Sequence, residues 1–286
     1  MKHRQLRIYK PPFIQRIRNE FTEKFGIHLF LRREDVIHPS VSGNKWRKLR
    51  YNLPLIPSGH TLVTFGGAYS NHIYATGAAC KGAGIPSIGI IRGERVDPLS
   101  PTLQFATSCG MKLKFVSRSD YRSKETLKER LFAGREDIYL LPEGGTNIHA
   151  IRGCTEIMDK EMEGMDVVCC PVGTGGTLAG LVSSGTHVRF EGYSALKADL
   201  QQDVESLLAG LPHSPFALIN DYHFGGYARI SDELIAFIKQ FYEEQDVLLD
   251  PVYTGKMLYG IMDRLSSYPH GTRICAIHTG GLQGWG

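Results

Sequence analysis

The sequence predicts an α/β protein built from two open, twisted, mainly parallel sheets that are flanked by helices. Short apolar runs alternate with helical patterns along most of the chain, which is typical of βαβ units. Residues 52–152 carry a strand and helix series of their own, and further strand-like runs lie on both sides of that block. We therefore expect a small domain at 52–152, inserted into a larger domain formed by 1–51 and 153–286, with a ligand in the cleft between them.

The inserted block begins with a strand predicted at residues 60–65, where a Leu-Val-Thr-Phe run favours β structure. This strand ends at Gly66-Gly67. The small residues of 70–83 then predict a helix that can pack closely against a sheet. A second strand is predicted at 85–91, which is rich in isoleucine. These elements together form one βαβ unit.

The same alternation continues to the end of the block and beyond it. A helix is predicted at 98–108, a third strand at 112–116, a charged helix at 123–132 and a fourth strand at 138–141. The strands of the second sheet are predicted at 166–172, 187–194 and 273–278, together with an N-terminal piece that includes Phe30, Leu31 and Arg32.

Composition and charge narrow the class of function. The chain has 286 residues, of which 42% are hydrophobic and 22% charged, as in ordinary globular proteins. A net charge of only +4 with scattered basic residues argues against a nucleic-acid surface. The N-terminal segment lacks the apolar core of a signal peptide, and no run is long enough to span a membrane. Six cysteines without a CxxC pair predict free thiols in a reducing cytoplasm.

Lys45 stands at the start of a predicted helix, within the run Ser-Gly-Asn-Lys-Trp-Arg-Lys-Leu. Ser42 or Asn44 is expected to cap that helix. The amine would then lie near the positive end of the helix dipole and beside Arg47 and Lys48. Both effects lower its pKa, which favours the neutral amine that can form an imine. The alternative is a solvated lysine in a basic helix. Only the other motifs of the chain, described next, argue against that alternative.

A glycine-rich loop, Gly173-Thr174-Gly175-Gly176-Thr177, connects the predicted strand at 166–172 to a helix-like run at 178–182. Glycines let backbone N–H groups converge on an anion, and the threonine hydroxyls add donors. The loop matches neither a Walker motif nor a dinucleotide fingerprint, so a single terminal phosphate fits it best. A tight strand–helix turn is the alternative. A lysine amine and a phosphate cradle in one chain point to pyridoxal phosphate as cofactor, and therefore to an amino-acid enzyme.

Two further segments lie where predicted elements meet. Gly66 to His72 can offer N–H and hydroxyl donors to a substrate carboxylate, although capping the helix that follows is the commoner role of a serine such as Ser70. Asp250 to Lys256 and the tyrosine of Gly225-Gly226-Tyr227 lie at element ends, where an α/β active site gathers its side chains. Ordinary packing is the alternative reading of these tyrosines.

These motifs, in this order and closing with His278-Thr279-Gly280-Gly281, resemble the 1-aminocyclopropane-1-carboxylate deaminase / D-cysteine desulfhydrase family. That family belongs to the tryptophan synthase β-subunit-like group of pyridoxal phosphate enzymes, also called fold type II. The resemblance extends from about Phe30 to Gly284. It implies a small amino-acid substrate, a homodimer, and the large domain as the one that binds the cofactor.

The resemblance also implies a role for each site residue. Lys45 would bind the cofactor aldehyde covalently and later act as general base at the substrate Cα. Asn71 would contact the phenolic oxygen of the ring. The phosphate would be bound by Lys48 and by Gly173, Thr174, Gly175, Gly176 and Thr177. The substrate would be contacted by Ser70, Asn71 and His72. Hydroxyl groups that assist the reaction would come from Ser70, Tyr227 and Tyr253.

One position departs from the ring-opening deaminases, which have glutamate after the tyrosine of the Asp250–Lys256 motif. This chain has Thr254, as the desulfhydrases do. A carboxylate facing the pyridine nitrogen strengthens the ring as an electron sink, whereas a hydroxyl leaves a weaker one. We therefore expect β-elimination from D-cysteine or a relative such as β-chloro-D-alanine, giving pyruvate and ammonia. The alternatives are 1-aminocyclopropane-1-carboxylate deaminase activity, and a non-catalytic protein that binds pyridoxal phosphate.

Overall fold

The computed structural model describes residues 5–285. In chain order its strands are β1 (Ile14–Ile17), β2 (His28–Arg32), β3 (Thr61–Gly66), β4 (Ser87–Arg92), β5 (Lys112–Val116), β6 (Ile138–Leu140), β7 (Val167–Val172), β8 (Arg189–Ser194), β9 (Phe216–Ile219) and β10 (Arg273–Ile277).

Helices connect these strands and cover both faces of the sheets. They are α1 (Glu20–Lys24), α2 (Asn44–Arg50), α3 (Asn71–Ala83), α4 (Pro101–Ser108), α5 (Arg118–Arg122), α6 (Lys124–Phe132), α7 (Ile148–Thr155), α8 (Gly176–Val182), α9 (Gln201–Leu208), α10 (Asp232–Gln245) and α11 (Thr254–Asp263). Single 3-10 turns lie at Glu34–Ile37, Leu53–Leu55, Glu143–Gly145, Lys160–Met162, Leu265–Ser267 and Leu282–Trp285.

The strands form two sheets. The larger has six strands in the order β1-β2-β10-β7-β8-β9, and only β1 runs antiparallel to its neighbour. The smaller has four parallel strands in the order β5-β4-β3-β6. All four come from the middle of the chain, while the larger sheet takes strands from both ends. The predicted fold class is therefore confirmed; the domain limits at 52 and 152 stay a prediction.

The large sheet is buried on both faces, and β7 shows why. All six of its residues are buried, as expected for a central parallel strand. Val167 and Cys169 belong to the core shared with α10 and α11, whereas Val168 and Cys170 belong to the core shared with α7, α8 and α9. This alternation is the two-residue period of a strand. It fixes the carboxyl end of β7, and thus the loop that follows it, between two packed helical layers.

The small sheet is packed in the same way. Leu62 of β3 lies in a core with Trp46 and Leu49 of α2 and with Ala75 of α3. Its neighbour Val63 points to the opposite face, into the core that includes Leu127 of α6. Helix α2 therefore packs on the small sheet, although the strand that precedes it in the chain, β2, belongs to the large one.

The predicted strands and helices are found, with shifted ends and several additions. The strand at 112–116 has the predicted bounds, while the helix predicted at 98–108 begins only at Pro101, after the N-cap Ser100. Ser117 caps a separate helix, α5, ahead of α6. Other elements that were not predicted are β1, β9, α1, α7, α9, α10 and α11.

Two other sequence features are visible in the structure. All six cysteines are free, and all but Cys109 are buried. Among the helices of residues 5–285, none combines the length and apolar character that crossing a bilayer requires.

Candidate active site

A cavity of about 530 Å³ lies between the two sheets, where the carboxyl ends of β3, β4 and β7 meet. Ligand sites of parallel α/β proteins lie at this edge. The structure brings all but one of the predicted site residues to its wall: Lys45, Lys48, Ser70, Asn71, His72, Gly173, Thr174, Gly175, Gly176, Thr177, Tyr227 and Tyr253. Thr254 is the exception.

Helix α2, which carries both lysines, begins differently from the prediction. The N-cap is Gly43, with φ 58° and ψ −135°, and no side chain caps the helix. A Cβ on Gly43 would meet the carbonyl oxygen of Thr279 at 1.9 Å, so glycine is required for this approach. The predicted caps are engaged elsewhere. The Ser42 hydroxyl donates to the Asp35 carbonyl (2.9 Å), and Asn44 is already inside the helix.

Lys45 projects into the cavity from the first turn of α2. Its Nζ donates to Asn44 Oδ1 (2.9 Å), and Asn44 Nδ2 donates in turn to Thr177 Oγ1 (2.8 Å), which ties the lysine to the glycine-rich loop. Burial, assisted by the nearby charge of Lys48, lowers the pKa of Lys45 from 10.5 to about 7. A large fraction of this amine is therefore neutral at neutral pH, as a nucleophile requires.

Arg47 does not contribute to that shift, contrary to the prediction. Its guanidinium binds the carboxylate of Glu34 through two bonds, Nε to Oε2 and Nη2 to Oε1, each 2.9 Å long. Glu34 is fully buried and also accepts a bond from Arg32 (3.3 Å). The positive charge of Arg47 is thus neutralised by an ion pair on the side of α2 away from Lys45.

Lys48 forms the base of a cluster of donors beside the glycine-rich loop. Its Nζ donates to the Gly144 carbonyl (3.2 Å) and to Thr146 Oγ1 (3.0 Å), and it lies 3.5 Å from Thr174 Oγ1. The two threonine hydroxyls are 2.8 Å apart. A Cβ on Gly176 would come within 3.1 Å of the lysine Nζ, so the glycine keeps this space open. The sequence did not predict Thr146, which comes from the turn after β6.

The loop after β3 supplies Ser70 and Asn71. Ser70 is the N-cap of α3 and accepts a bond from the Ile73 N–H (3.3 Å), so the capping interpretation of this serine holds. Asn71 Oδ1 accepts a bond from Gln283 Nε2 (2.9 Å). Gln283 also lines the cavity, and its position near the C-terminus gave no signal in the sequence.

His72 is buried and neutral. Burial, together with the charges of Lys45 and Lys48, holds its pKa well below 6.5. The Thr64 hydroxyl donates to the Leu141 carbonyl (2.9 Å), so it accepts from His72 Nε2 (2.7 Å). Nδ1 lies 3.4 Å from the Thr76 hydroxyl. A substrate carboxylate at His72 would have to compete with these bonds. The predicted contact therefore stays a prediction, whereas the structural role of the ring is visible.

Tyr227 and Tyr253 meet edge to face, with ring centroids 6.2 Å apart and planes at 62°. The loop before Tyr227 is held by the buried Lys256, whose Nζ donates to the carbonyls of His223 (2.9 Å) and Gly226 (2.8 Å). Burial raises the pKa of Tyr253 well above 10, so its phenol stays protonated and can donate.

Thr254 does not line the cavity. It is the first residue of α11 and is fully buried, and its N–H donates to Asp250 Oδ2 (2.9 Å). Its hydroxyl makes no hydrogen bond of good geometry among the described residues. Because Thr254 lies outside the cavity wall, the expected contact between Thr254 and the ring nitrogen stays a prediction. Thr279, which follows β10, lines the cavity instead, and no role was predicted for it.

Sequence comparison identifies the family. The pattern of the family described as pyridoxal-phosphate dependent enzyme matches residues 14–280. The chain belongs to this family. A Thermotoga maritima relative with the provisional name 1-aminocyclopropane-1-carboxylate deaminase is 30% identical, over 96% of this chain and 95% of its own. The mitochondrial bifunctional D-cysteine desulfhydrase/1-aminocyclopropane-1-carboxylate deaminase of Arabidopsis thaliana is also 30% identical, over 91% of this chain and 73% of its own.

Solved structures of pyridoxal-phosphate dependent enzymes have the same fold. A crystal structure described as an ACC deaminase homologue superposes with a TM-score of 0.80 at 26% identity, covering 98% of this chain and 92% of the other. A fungal L-serine ammonia-lyase from Rhizomucor miehei shares the fold with a TM-score of 0.66 at 16% identity, covering 96% and 94%.

The residues of the cavity fit the cofactor of this family, pyridoxal 5'-phosphate. Lys45 supplies an amine whose pKa is lowered to about 7, so about half of it is neutral at pH 7. Lys48, Thr174 and the open backbone of the glycine-rich loop supply donors for a phosphate, and Gly176 leaves the space that a side chain would fill. The protein is thus a pyridoxal-phosphate dependent enzyme, and Lys45, Lys48 and the glycine-rich loop line one cavity.

Proposed function

We propose that the enzyme catalyses β-elimination from a small amino acid, with D-cysteine as the type substrate and pyruvate, ammonia and sulfide as products. The observation that carries this choice is that threonine, not glutamate, follows Tyr253, together with Thr279 on the cavity wall. Among the described residues of the cavity wall, only Glu143 and Asp203 carry carboxylates. Glu143 is already bound by Tyr121 (2.8 Å) and by Lys124 (3.0 Å).

Pyridoxal phosphate, when bound, supplies the electron sink that makes the substrate Cα acidic. Lys45 would hold the aldehyde of the cofactor, and its Nζ would accept the proton from the substrate Cα. A pKa near 7 suits this exchange, because the amine can gain and lose a proton at neutral pH. Tyr253, as a neutral phenol, can donate a proton to the departing sulfur. Ser70 and Asn71 orient the substrate at the start of α3.

A thiolate is a good leaving group, so its departure needs less electron withdrawal than opening a cyclopropane ring. With threonine at position 254 instead of glutamate, and Thr279 on the cavity wall, this motif offers the ring nitrogen no carboxylate, so the ring would be a weaker electron sink. The side chains of this site therefore favour substrates that have a Cα proton and a good β-leaving group.

Deamination of 1-aminocyclopropane-1-carboxylate is the second candidate function. Its support is the Arabidopsis relative, whose name joins both activities in one protein. Both reactions would use Lys45 to hold the cofactor, and they differ in whether a Cα proton is removed.

A substrate comparison separates the two candidates. The purified enzyme is given D-cysteine, L-cysteine, β-chloro-D-alanine and 1-aminocyclopropane-1-carboxylate, and pyruvate and 2-oxobutanoate are measured. We expect kcat/KM for D-cysteine to exceed that for the cyclopropane by about tenfold or more. Lys45→Ala should form neither product. Faster turnover of the cyclopropane would show that Thr254 is a poor guide to the reaction.

We also propose a homodimer in the cytoplasm. The dimer is supported by the resemblance to the family, and light scattering on the eluted protein would measure its mass. The location is supported by free thiols at all six cysteines, since such thiols persist in a reducing compartment.

A further inference from the structure

The cavity wall carries a third cation besides the two lysines, namely Arg92. Lys45 and Lys48 have roles at the cofactor, whereas Arg92 has none. It is the last residue of β4 and so lies at the carboxyl edge of the small sheet, next to the strand that leads to Ser70. Its side chain is exposed at the rim of the cavity.

The guanidinium of Arg92 is oriented by its surroundings. It lies over the ring of Tyr121, with Cζ 5.6 Å from the centroid. A Cβ on Gly67 would be 3.6 Å from Nη2, so the guanidinium borders the loop that leads to Ser70. Burial raises the pKa of Tyr227, and Arg92 is among the groups that lower it, which places the guanidinium within electrostatic reach of that phenol.

Arg92 has no acidic partner among residues 5–285. Glu143, the acid on the same side of the cavity, is bound by Tyr121 and Lys124 instead. Nearby Arg95, outside the cavity wall, is paired with Asp97 at 3.1 Å. The donors of Arg92 are therefore free to bind an anion that enters the cavity.

We propose that Arg92 selects substrates whose β-substituent ends in a carboxylate, which the guanidinium binds at the rim. This inference rests on the proposed β-elimination and names its substrate class. A carboxylate matches the fork of donors in arginine, and a rim position suits the outer end of a substrate better than its reacting carbon. S-carboxymethyl-D-cysteine is the simplest such substrate.

The reaction of this substrate balances without another reagent. The Cα proton passes to Lys45 Nζ, the bond between Cβ and sulfur breaks, and its electron pair and a proton stay with sulfur as thioglycolate. Water then releases the remaining three-carbon fragment as pyruvate and ammonia.

The test compares two substrates that differ only in charge, S-carboxymethyl-D-cysteine and its neutral isostere S-carbamoylmethyl-D-cysteine. For the native enzyme, kcat/KM should favour the acid by about 10- to 100-fold. Arg92→Gln should bring this ratio near one while leaving turnover of the amide unchanged, and Arg92→Lys should keep part of the preference. Arg95→Gln, which removes a neighbouring positive charge outside the cavity wall, should keep all of it.

A binding measurement separates this inference from the proposed reaction. Calorimetry on the holoenzyme compares 3-(carboxymethylthio)propanoate with 3-(carbamoylmethylthio)propanoate, which lack an amine and cannot react. If neither cysteine derivative is turned over but Arg92→Gln abolishes a preference for the diacid, the inference stands and the proposed reaction fails. Any of three results would overturn the inference. The native enzyme could show a kcat/KM ratio near one, Arg92→Gln could lower kcat/KM equally for the acid and the amide, or Arg95→Gln could lower the preference for the acid as much as Arg92→Gln does.

Discussion

Lys45 owes its low pKa to its surroundings rather than to its position in the sequence. Desolvation is the largest cause and the charge of Lys48, one helical turn away, is the second. Arg47 lies between them in sequence, yet it faces Glu34 and is neutralised there. Successive residues of a helix point in different directions, so the two lysines share a face that Arg47 does not.

The pKa of Lys45 can be tested by labelling the cofactor-free protein with an amine reagent across a range of pH. Only the neutral amine reacts, so labelling at position 45 should rise with a midpoint at about pH 7 and then level off. Lys48→Met removes the neighbouring charge and should move this midpoint to higher pH. Exposed Lys81 serves as an internal reference for the reagent. A midpoint that Lys48→Met leaves unchanged would show that this charge has no effect.

Site residues were predictable where they lie in continuous motifs, as in the glycine-rich loop and the run around Lys45. Contacts made by distant segments were not. Thr146 reaches Lys48 from the turn after β6, and Gln283 reaches Asn71 from the end of the chain. A lone threonine or glutamine carries no pattern in sequence, because its role arises only when the segments are brought together by folding.

At the scale of the elements, α2 depends on the glycine that caps it, Gly43. The prediction of a helix there was correct, but a side-chain cap was expected and a glycine is found. The reason lies outside the helix, because the carbonyl of Thr279 occupies the place where a side chain at position 43 would be. The elements missed altogether include β9, a four-residue half-buried strand at the edge of the large sheet, but also α10, a helix of 14 residues.

A glycine pair tests this account of α2. Gly43 (φ 58°) and Gly59 (φ 80°) both have positive φ, but a Cβ on Gly59 would meet nothing within 4 Å. Gly59→Ala should therefore cost about 1–2 kcal/mol of unfolding free energy, from backbone strain alone. Gly43→Ala adds a collision with backbone and should cost more than about 3 kcal/mol, with weaker cofactor binding. Urea unfolding measures both, and equal losses would contradict the role assigned to Thr279.

On the scale of the whole molecule, the site is shared by the two sheets. Helix α2 packs on the small sheet and contributes both lysines, while the glycine-rich loop follows β7 of the large sheet. Lys48 contacts Gly144, in the turn after β6 of the small sheet, and Thr174, in the loop after β7 of the large sheet. A phosphate bound at this point would therefore connect both halves of the protein.

Removal of the cofactor should for this reason destabilise the molecule. Pyridoxal phosphate at 100 times its dissociation constant is expected to add about 2.7 kcal/mol, which raises the thermal midpoint by roughly 5–10 °C. Pyridoxal without the phosphate should give a smaller shift, and Lys48→Met should reduce the difference between the two ligands. Differential scanning calorimetry measures the midpoints. Equal shifts for both ligands in the native enzyme would exclude the phosphate site at Lys48.

The place of β10 has a consequence for how the protein is made. Among the described residues this strand is the last in chain order, yet it lies between β2 and β7. During synthesis on the ribosome, the edges of β2 and β7 that pair with β10 stay unpaired until β10 emerges. The four strands of the small sheet, by contrast, are all available by mid-translation. A nascent chain that stalls before Arg273 would therefore expose open strand edges to other chains or to chaperones.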